Sequence, residues 1–125
     1  MGEFFKNTSG NMAIITALSA TVLLGAAGVA VDFVRQHDEN TAYSAAADAA
    51  ALAGAALIRE NVDWTASKIK SQAKAEALKS WNANLTPELL SQIKKPKVDV
   101  INDGMEWTVK VSFSGEMPAS LMAVA

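Results

Sequence analysis

The sequence predicts an α+β protein anchored in a membrane, with a long N-terminal helix, one or two further helices and a C-terminal β-hairpin. Three observations lead to this fold class. Residues 12–31 contain no charged side chain. An alanine-rich stretch follows without a proline, which favours a continuous helix. After Pro96 the apolar residues change from helical spacing to alternation, which is typical of β-strands.

The uncharged run has the length of a membrane-spanning helix. At about 1.5 Å of rise per residue, it matches the roughly 30 Å hydrocarbon core of a bilayer. We expect residues 1–10 to form a short polar leader, residues 11–32 the transmembrane helix and residues 33–125 a soluble head after the anchor. Two alternatives stay open. One is a cleaved signal peptide, because Gly28-Val29-Ala30 has the form of a cleavage site; the other is a core helix of a soluble protein.

The alanine-rich stretch is expected to continue the helix to about residue 60, projecting beyond the lipid. Its apolar residues recur every three or four positions, and we call them the alanine stripe: Tyr43, Ala46, Ala50, Ala53 and Leu57. Methyl groups bury little area, so the stripe needs a long and close partner helix, and we expect lateral packing against other chains. Gly25 and Gly28 would let backbones approach closely within the lipid. A bulky residue at Ala46 or Ala50 is then expected to disrupt assembly without unfolding the head.

The rest of the head is predicted to contain two short helices and a hairpin. Apolar spacing indicates a helix over about residues 64–82, with Asp63 as its N-cap. Thr86-Pro87-Glu88 is a helix start signal for a third helix over about residues 87–94. Alternating residues on either side of Asn102-Asp103-Gly104 predict a hairpin over about residues 97–114. A lone hairpin is marginal in water, so it must pack on a helix or pair with more strand.

The sequence offers no catalytic constellation. It has no cysteine and a single histidine, His37, and no phosphate-binding or nucleophile motif. We therefore expect a non-enzymatic protein with no cofactor, no metal and no small-molecule substrate. Seven lysines fall in the middle of the head and form a basic contact patch or a solvated face: Lys68, Lys70, Lys74, Lys79, Lys94, Lys95 and Lys97. A patch would meet anionic headgroups or an acidic partner. Nucleic acid is not expected, because no aromatic residues interleave with the lysines.

Three segments together resemble a known family. They are Gly10-Asn11 ahead of the apolar run, Val31-Asp32-Phe33 at its end, and Ala45 to Ala53 with the embedded Asp48. This order resembles the N-terminal region of the TadG-like and TadE-like proteins of the bacterial Flp (Tad) pilus-assembly system. The stretch from Val109 to Met122 is also similar to the strand that follows in that family.

The resemblance implies a single-pass protein of the bacterial inner membrane, with the N-terminus cytoplasmic and the head periplasmic or extracellular. It implies a supporting or minor-pilin role in making adhesive pili, with membrane lipid, other pilus-assembly proteins and further copies of the chain as partners. Ile15 stands where processed pilins carry glutamate five residues after the cleaved glycine, so cleavage at Gly10 is not expected. The alternatives are a membrane-tethered sensor or regulatory subunit that binds another envelope protein, and an enzyme whose catalytic part lies beyond Ala125.

Overall fold

The computed structural model describes residues 8–115, and these fall into two compact units, residues 8–36 and residues 37–115. Helix α1 (Thr8–Glu60) contributes residues to both units. It begins three residues before the expected start of the transmembrane helix, and it ends at the expected position. The first seven residues of the predicted leader and the family-like stretch around Pro118 and Met122 lie outside the described residues.

The second unit, which we call the head, contains the remaining elements in the predicted order. Helix α2 (Ala66–Asn84), helix α3 (Pro87–Gln92), strand β1 (Lys97–Asn102) and strand β2 (Trp107–Ser112) follow α1 along the chain. The N-cap of α2 is Thr65, whose side-chain oxygen accepts from the Lys68 backbone N–H at 3.4 Å. The prediction of Asp63 as the cap was therefore wrong, because the turn after α1 runs two residues further. Thr86 caps α3 as predicted, and Pro87 lies in its first turn.

The two strands pair antiparallel in a register that separates an apolar face from a polar one. On the apolar face Val98 pairs with Val111, and Val100 pairs with Val109. On the other face the pairs are Lys97 with Ser112, Asp99 with Lys110, and Ile101 with Thr108. The apolar pairs face the core of the head, so the alternation predicted for β2 is confirmed.

The loop between the strands is held by its own side chains. Gly104 adopts a φ of +98°, which favours glycine. The Asp103 carboxylate accepts from the backbone N–H groups of Glu106 at 2.8 Å and Met105 at 3.0 Å. These two hydrogen bonds lower the pKa of Asp103 below its usual value.

The core of the head has two parts. The larger part joins α1, α2 and the hairpin through these buried residues: Tyr43, Ala46, Ala47, Ala50, Ala77, Trp81, Leu85 and Val98. Half-buried apolar residues of α3 and of the hairpin pack against it. The smaller part contains Ile58, Ile69 and Ala73, with Trp64 and Trp107 packed around them. The hairpin therefore packs on helices, as a lone hairpin must.

Candidate interaction surfaces

The N-terminal half of α1 presents apolar side chains to its surroundings. Val22, Leu23 and Leu24 are 71%, 68% and 73% exposed. Successive residues of a helix point about 100° apart, so three consecutive exposed residues cover most of its circumference. Within the described residues, one helix is long and apolar enough to cross a membrane by length and composition. Near the end of this segment Asp32 is buried, at 7% exposure, whereas Phe33 is 69% exposed.

Gly25 and Gly28 lie on open parts of this segment. Gly25 is exposed and Gly28 is half-buried. A methyl group built at either position meets no atom of residues 8–115 within 4 Å, apart from the adjacent residues and backbone of its own helix. Both positions therefore leave room for the backbone of a neighbouring helix, which is what close packing in lipid requires.

The alanine stripe lies on the side of α1 that the rest of the head covers. Tyr43 and Ala46 are each 1% exposed and Ala50 is 0% exposed, while Ala53 and Leu57 are half-buried. The partner of the stripe among the described residues is therefore this chain's own α2, α3 and hairpin. Both side chains belong to the core of the head, so bulky residues at Ala46 or Ala50 are expected to destabilise the head itself, contrary to the expectation from the sequence.

Gly54 marks a close approach between α1 and the elements that cover it. A methyl group built at Gly54 would lie 3.1 Å from Val109 Cγ1, 3.2 Å from the Ala73 carbonyl oxygen and 3.5 Å from Ala77 Cβ. Only glycine lets α1, α2 and β2 meet at this distance without a shift. The residues of α2 that face Gly54, Ala73 and Ala77, are also small, so the two helices can lie close together at this point.

Three aromatic rings connect α1, α2 and the end of the hairpin. Tyr43 and Trp81 are stacked with centroids 6.3 Å apart, and Phe113 lies 5.9 Å from Tyr43 and 5.6 Å from Trp81. The Tyr43 hydroxyl donates to the Leu89 carbonyl oxygen at 2.9 Å, which ties α3 to α1. Burial, and then the nearby Glu39 carboxylate, raise the pKa of Tyr43 above its ordinary value of 10.0.

The seven lysines of the predicted patch are distributed over α2, the segment between α3 and β1, and the first position of β1. Three of them contact neighbouring side chains: Lys68 lies 4.0 Å from the ring centroid of Trp64, Lys79 lies 3.8 Å from Glu76, and Lys97 lies 3.2 Å from Asp99. Lys94 and Lys95 are exposed and have no ion-pair partner among residues 8–115. Exposed ion pairs of this kind add about 0–1 kcal/mol each, so they leave the lysines available to other anions.

Lys94 and Lys95 also border a pocket between α2, α3 and the segment before β1. We call it the α2–α3 pocket; its volume is about 290 Å³, and its apolar lining residues include Leu78, Trp81, Leu90 and Ile93. None of the residues that line it is acidic. An apolar lining with two cationic side chains suits a small anionic group attached to an apolar body.

Neither the pocket nor Gly54 was singled out by sequence analysis. A lone glycine inside an alanine-rich helix is a signal for close packing, and it would have identified Gly54. The pocket had no comparable signal, because it depends on how α3 lies against α2. In the described part of the chain no three histidine or carboxylate side chains lie together as metal ligands would.

Residues 10–57 match the family described as "Putative Flp pilus-assembly TadE/G-like". The match confirms the resemblance found in the sequence, and it covers the apolar segment and the whole alanine stripe. It ends before α2 begins, so α2, α3 and the hairpin lie outside it. No curated protein and no solved structure matches the chain.

Proposed function

We propose that this chain is a single-span envelope protein that supports assembly of Flp/Tad-type pili through protein–protein contacts. The observation that carries the proposal is the coincidence of two features in one segment. Residues 10–57 match a pilus-assembly family, and the first part of that segment exposes apolar side chains on all sides. A structural role in a filament or in its assembly platform needs an anchor and lateral contacts, and no chemistry.

The exposed apolar segment is better matched by lipid than by one partner protein. Large apolar residues between Met12 and Val34 are 51–73% exposed. Monomeric soluble proteins rarely expose contiguous apolar patches beyond a few hundred Å². A single partner helix would cover one stripe of such a segment, whereas a bilayer surrounds it. We therefore place this segment across the inner membrane, with the N-terminus cytoplasmic and the head periplasmic or extracellular, as in the family.

Lateral packing in this proposal depends on the small residues of the span. The stripe residues that are fully buried inside the head have no free surface for a second chain. Gly25 and Gly28 remain open, and small residues let transmembrane helices approach within backbone contact. The partners are further copies of this chain or other pilin-like proteins of the same system, with the chain acting as a minor pilin.

The test is to enlarge this open face without disturbing the fold. Gly25→Leu and Gly28→Leu add bulk at positions that no other described element approaches within 4 Å, and both lie outside the head, so the head should fold normally. We expect fewer surface pili, and less of the protein in filaments sheared from the cells. The matched control is Leu23→Phe, which adds bulk about 200° around the helix from Gly25.

Two results would count against the proposal. Release of the intact chain from membranes by carbonate would remove the anchor. Normal piliation of both glycine variants would remove lateral packing through the span. The tethered regulatory subunit would be favoured instead if the protein stays in the inner membrane of wild-type cells and cells that lack it make normal pili.

A further inference from the structure

We propose that the α2–α3 pocket binds the anionic headgroup of a phospholipid from the membrane that anchors the chain. Lys94 and Lys95 would contact the phosphate, and the apolar lining would cover the neighbouring part of the lipid. This inference rests on the membrane anchoring proposed above. The proposed ligand is a lipid headgroup, and the experiment below distinguishes it from an acidic protein and from a soluble anion.

The first argument is the chemistry of the pocket. Its lining is mostly apolar, its two charged residues are lysines, and it contains no carboxylate. A volume of about 290 Å³ is at the small end of ligand pockets, so it suits a headgroup rather than a larger molecule. Each lysine near an anionic membrane surface raises the binding constant about fivefold.

The second argument is that the pocket lies at the end of the head where the chain enters it from the apolar segment. Ile93 lines the α2–α3 pocket and also lines a second pocket together with Asn40. Asn40 follows Val34, the last exposed apolar residue of the membrane segment, by six positions. Six residues span at most about 21 Å even when fully extended, whatever the arrangement of the two units. The lysines therefore lie at the end of the head that the chain connects to the apolar segment through only a few residues.

Two carboxylates, Asp38 and Glu39, lie on the same stretch of α1; Glu39 is close enough to Tyr43 to raise its pKa, and neither carboxylate lines the α2–α3 pocket. Asp38 is exposed, but it lies about 200° around the helix from Asn40 and so points away from the residues that line the second pocket. Lys68 and Lys70 lie near the N-terminus of α2, about two helical turns or more before Leu78, which lines the pocket. They therefore serve as reference lysines away from the pocket in the experiment below. Lys97 is partly neutralised by Asp99, which leaves Lys94 and Lys95 as the pair available at the pocket.

The experiment measures the accessibility of each lysine in the intact chain. The full-length protein is reconstituted into vesicles of phosphatidylcholine alone and of equal parts phosphatidylcholine and phosphatidylglycerol. A brief pulse with a neutral amine-acetylating reagent is followed by mass spectrometry of each lysine. We expect the acetylation rates of Lys94 and Lys95 to fall about fivefold or more in the anionic vesicles, with little change at Lys70. Salt at about 1 M should reverse the protection, because the Debye length then falls to about 3 Å.

A second measurement uses variants with matched charge. Lys94→Gln/Lys95→Gln should lose bound phosphatidylglycerol in native mass spectrometry after gentle extraction from the mixed vesicles. Lys68→Gln/Lys70→Gln removes the same charge from the other end of α2 and should retain it. Equal loss of phosphatidylglycerol by the two double variants would show that net charge matters and the pocket does not, and full retention by both would overturn the proposal.

The remaining outcomes identify other ligands or a failed premise. Equal acetylation rates in both vesicle types overturn the proposal. Protection by inorganic phosphate over neutral vesicles would assign the pocket to a soluble anion, and protection seen only in native membranes would assign it to an acidic protein. If the chain does not float with vesicles after carbonate treatment, the anchoring itself fails; flotation without protection refutes the lipid site alone.

Discussion

Replacing Ala50 with leucine tests whether the alanine stripe is a core or a free surface. Ala50 is 0% exposed in the cluster that contains Tyr43, Ala77 and Trp81, so an added isopropyl group has no space to occupy. Overpacking of this kind costs about 1–3 kcal/mol. A domain of this size loses roughly 4–8 °C in Tm per kcal/mol, so the expected loss is roughly 4–24 °C.

The matched control is Ala45→Leu, the same substitution on the same helix at an exposed position. Exposed substitutions away from special features change stability by about 0.5 kcal/mol or less, so its Tm should stay close to that of the wild type. The assay is thermal unfolding of the full chain in detergent, followed by tryptophan fluorescence. Equal melting temperatures for both variants would show that Ala50 is not in a packed core and would return the stripe to the role of an intermolecular surface.

Two further substitutions test the core at other points. Tyr43→Phe should lower stability by about 0.5–1.5 kcal/mol at pH 8, because the hydrogen bond to the Leu89 carbonyl is lost. Since burial raises the pKa of Tyr43 above 10.0, the wild type should lose stability as the pH rises above that value, and the variant should lose less; parallel pH profiles in urea titrations would contradict this. Gly54→Val should cost about 1–3 kcal/mol through contacts with Ala73 and Val109, whereas exposed Ala56→Val should be nearly neutral; similar urea midpoints would argue against a close helix crossing.

Local sequence signals predicted the secondary structure well, for physical reasons that act over a few residues. Alanine content and the absence of proline predicted α1 to its end at Glu60. Thr86-Pro87 predicted the start of α3, and alternation predicted β2. The start of α2 was predicted at Trp64 instead of Ala66, because Asp63 and Thr65 are both capping residues and only the turn geometry chooses between them.

Tertiary partners could not be predicted from the same signals. Periodicity showed that Tyr43, Ala46 and Ala50 form a buried face, but it does not say which element buries them. The aromatic cluster joins positions far apart in the chain, so no window of the sequence contains it. The same is true of the α2–α3 pocket. In the sequence its lysines form one group with those of α2, and only the position of α3 against α2 separates the two sets.

The sharing of α1 between the two units has a practical consequence. The helix supplies one wall of the head's core through residues 43–58. A fragment that begins after Glu60 would expose Ile69, Ala73 and Trp81 to water and should aggregate. A fragment that begins near His37 would keep that wall of the core and lack the apolar N-terminal part of α1. Secretion of such a fragment is the natural route to a soluble form for binding and crystallisation trials.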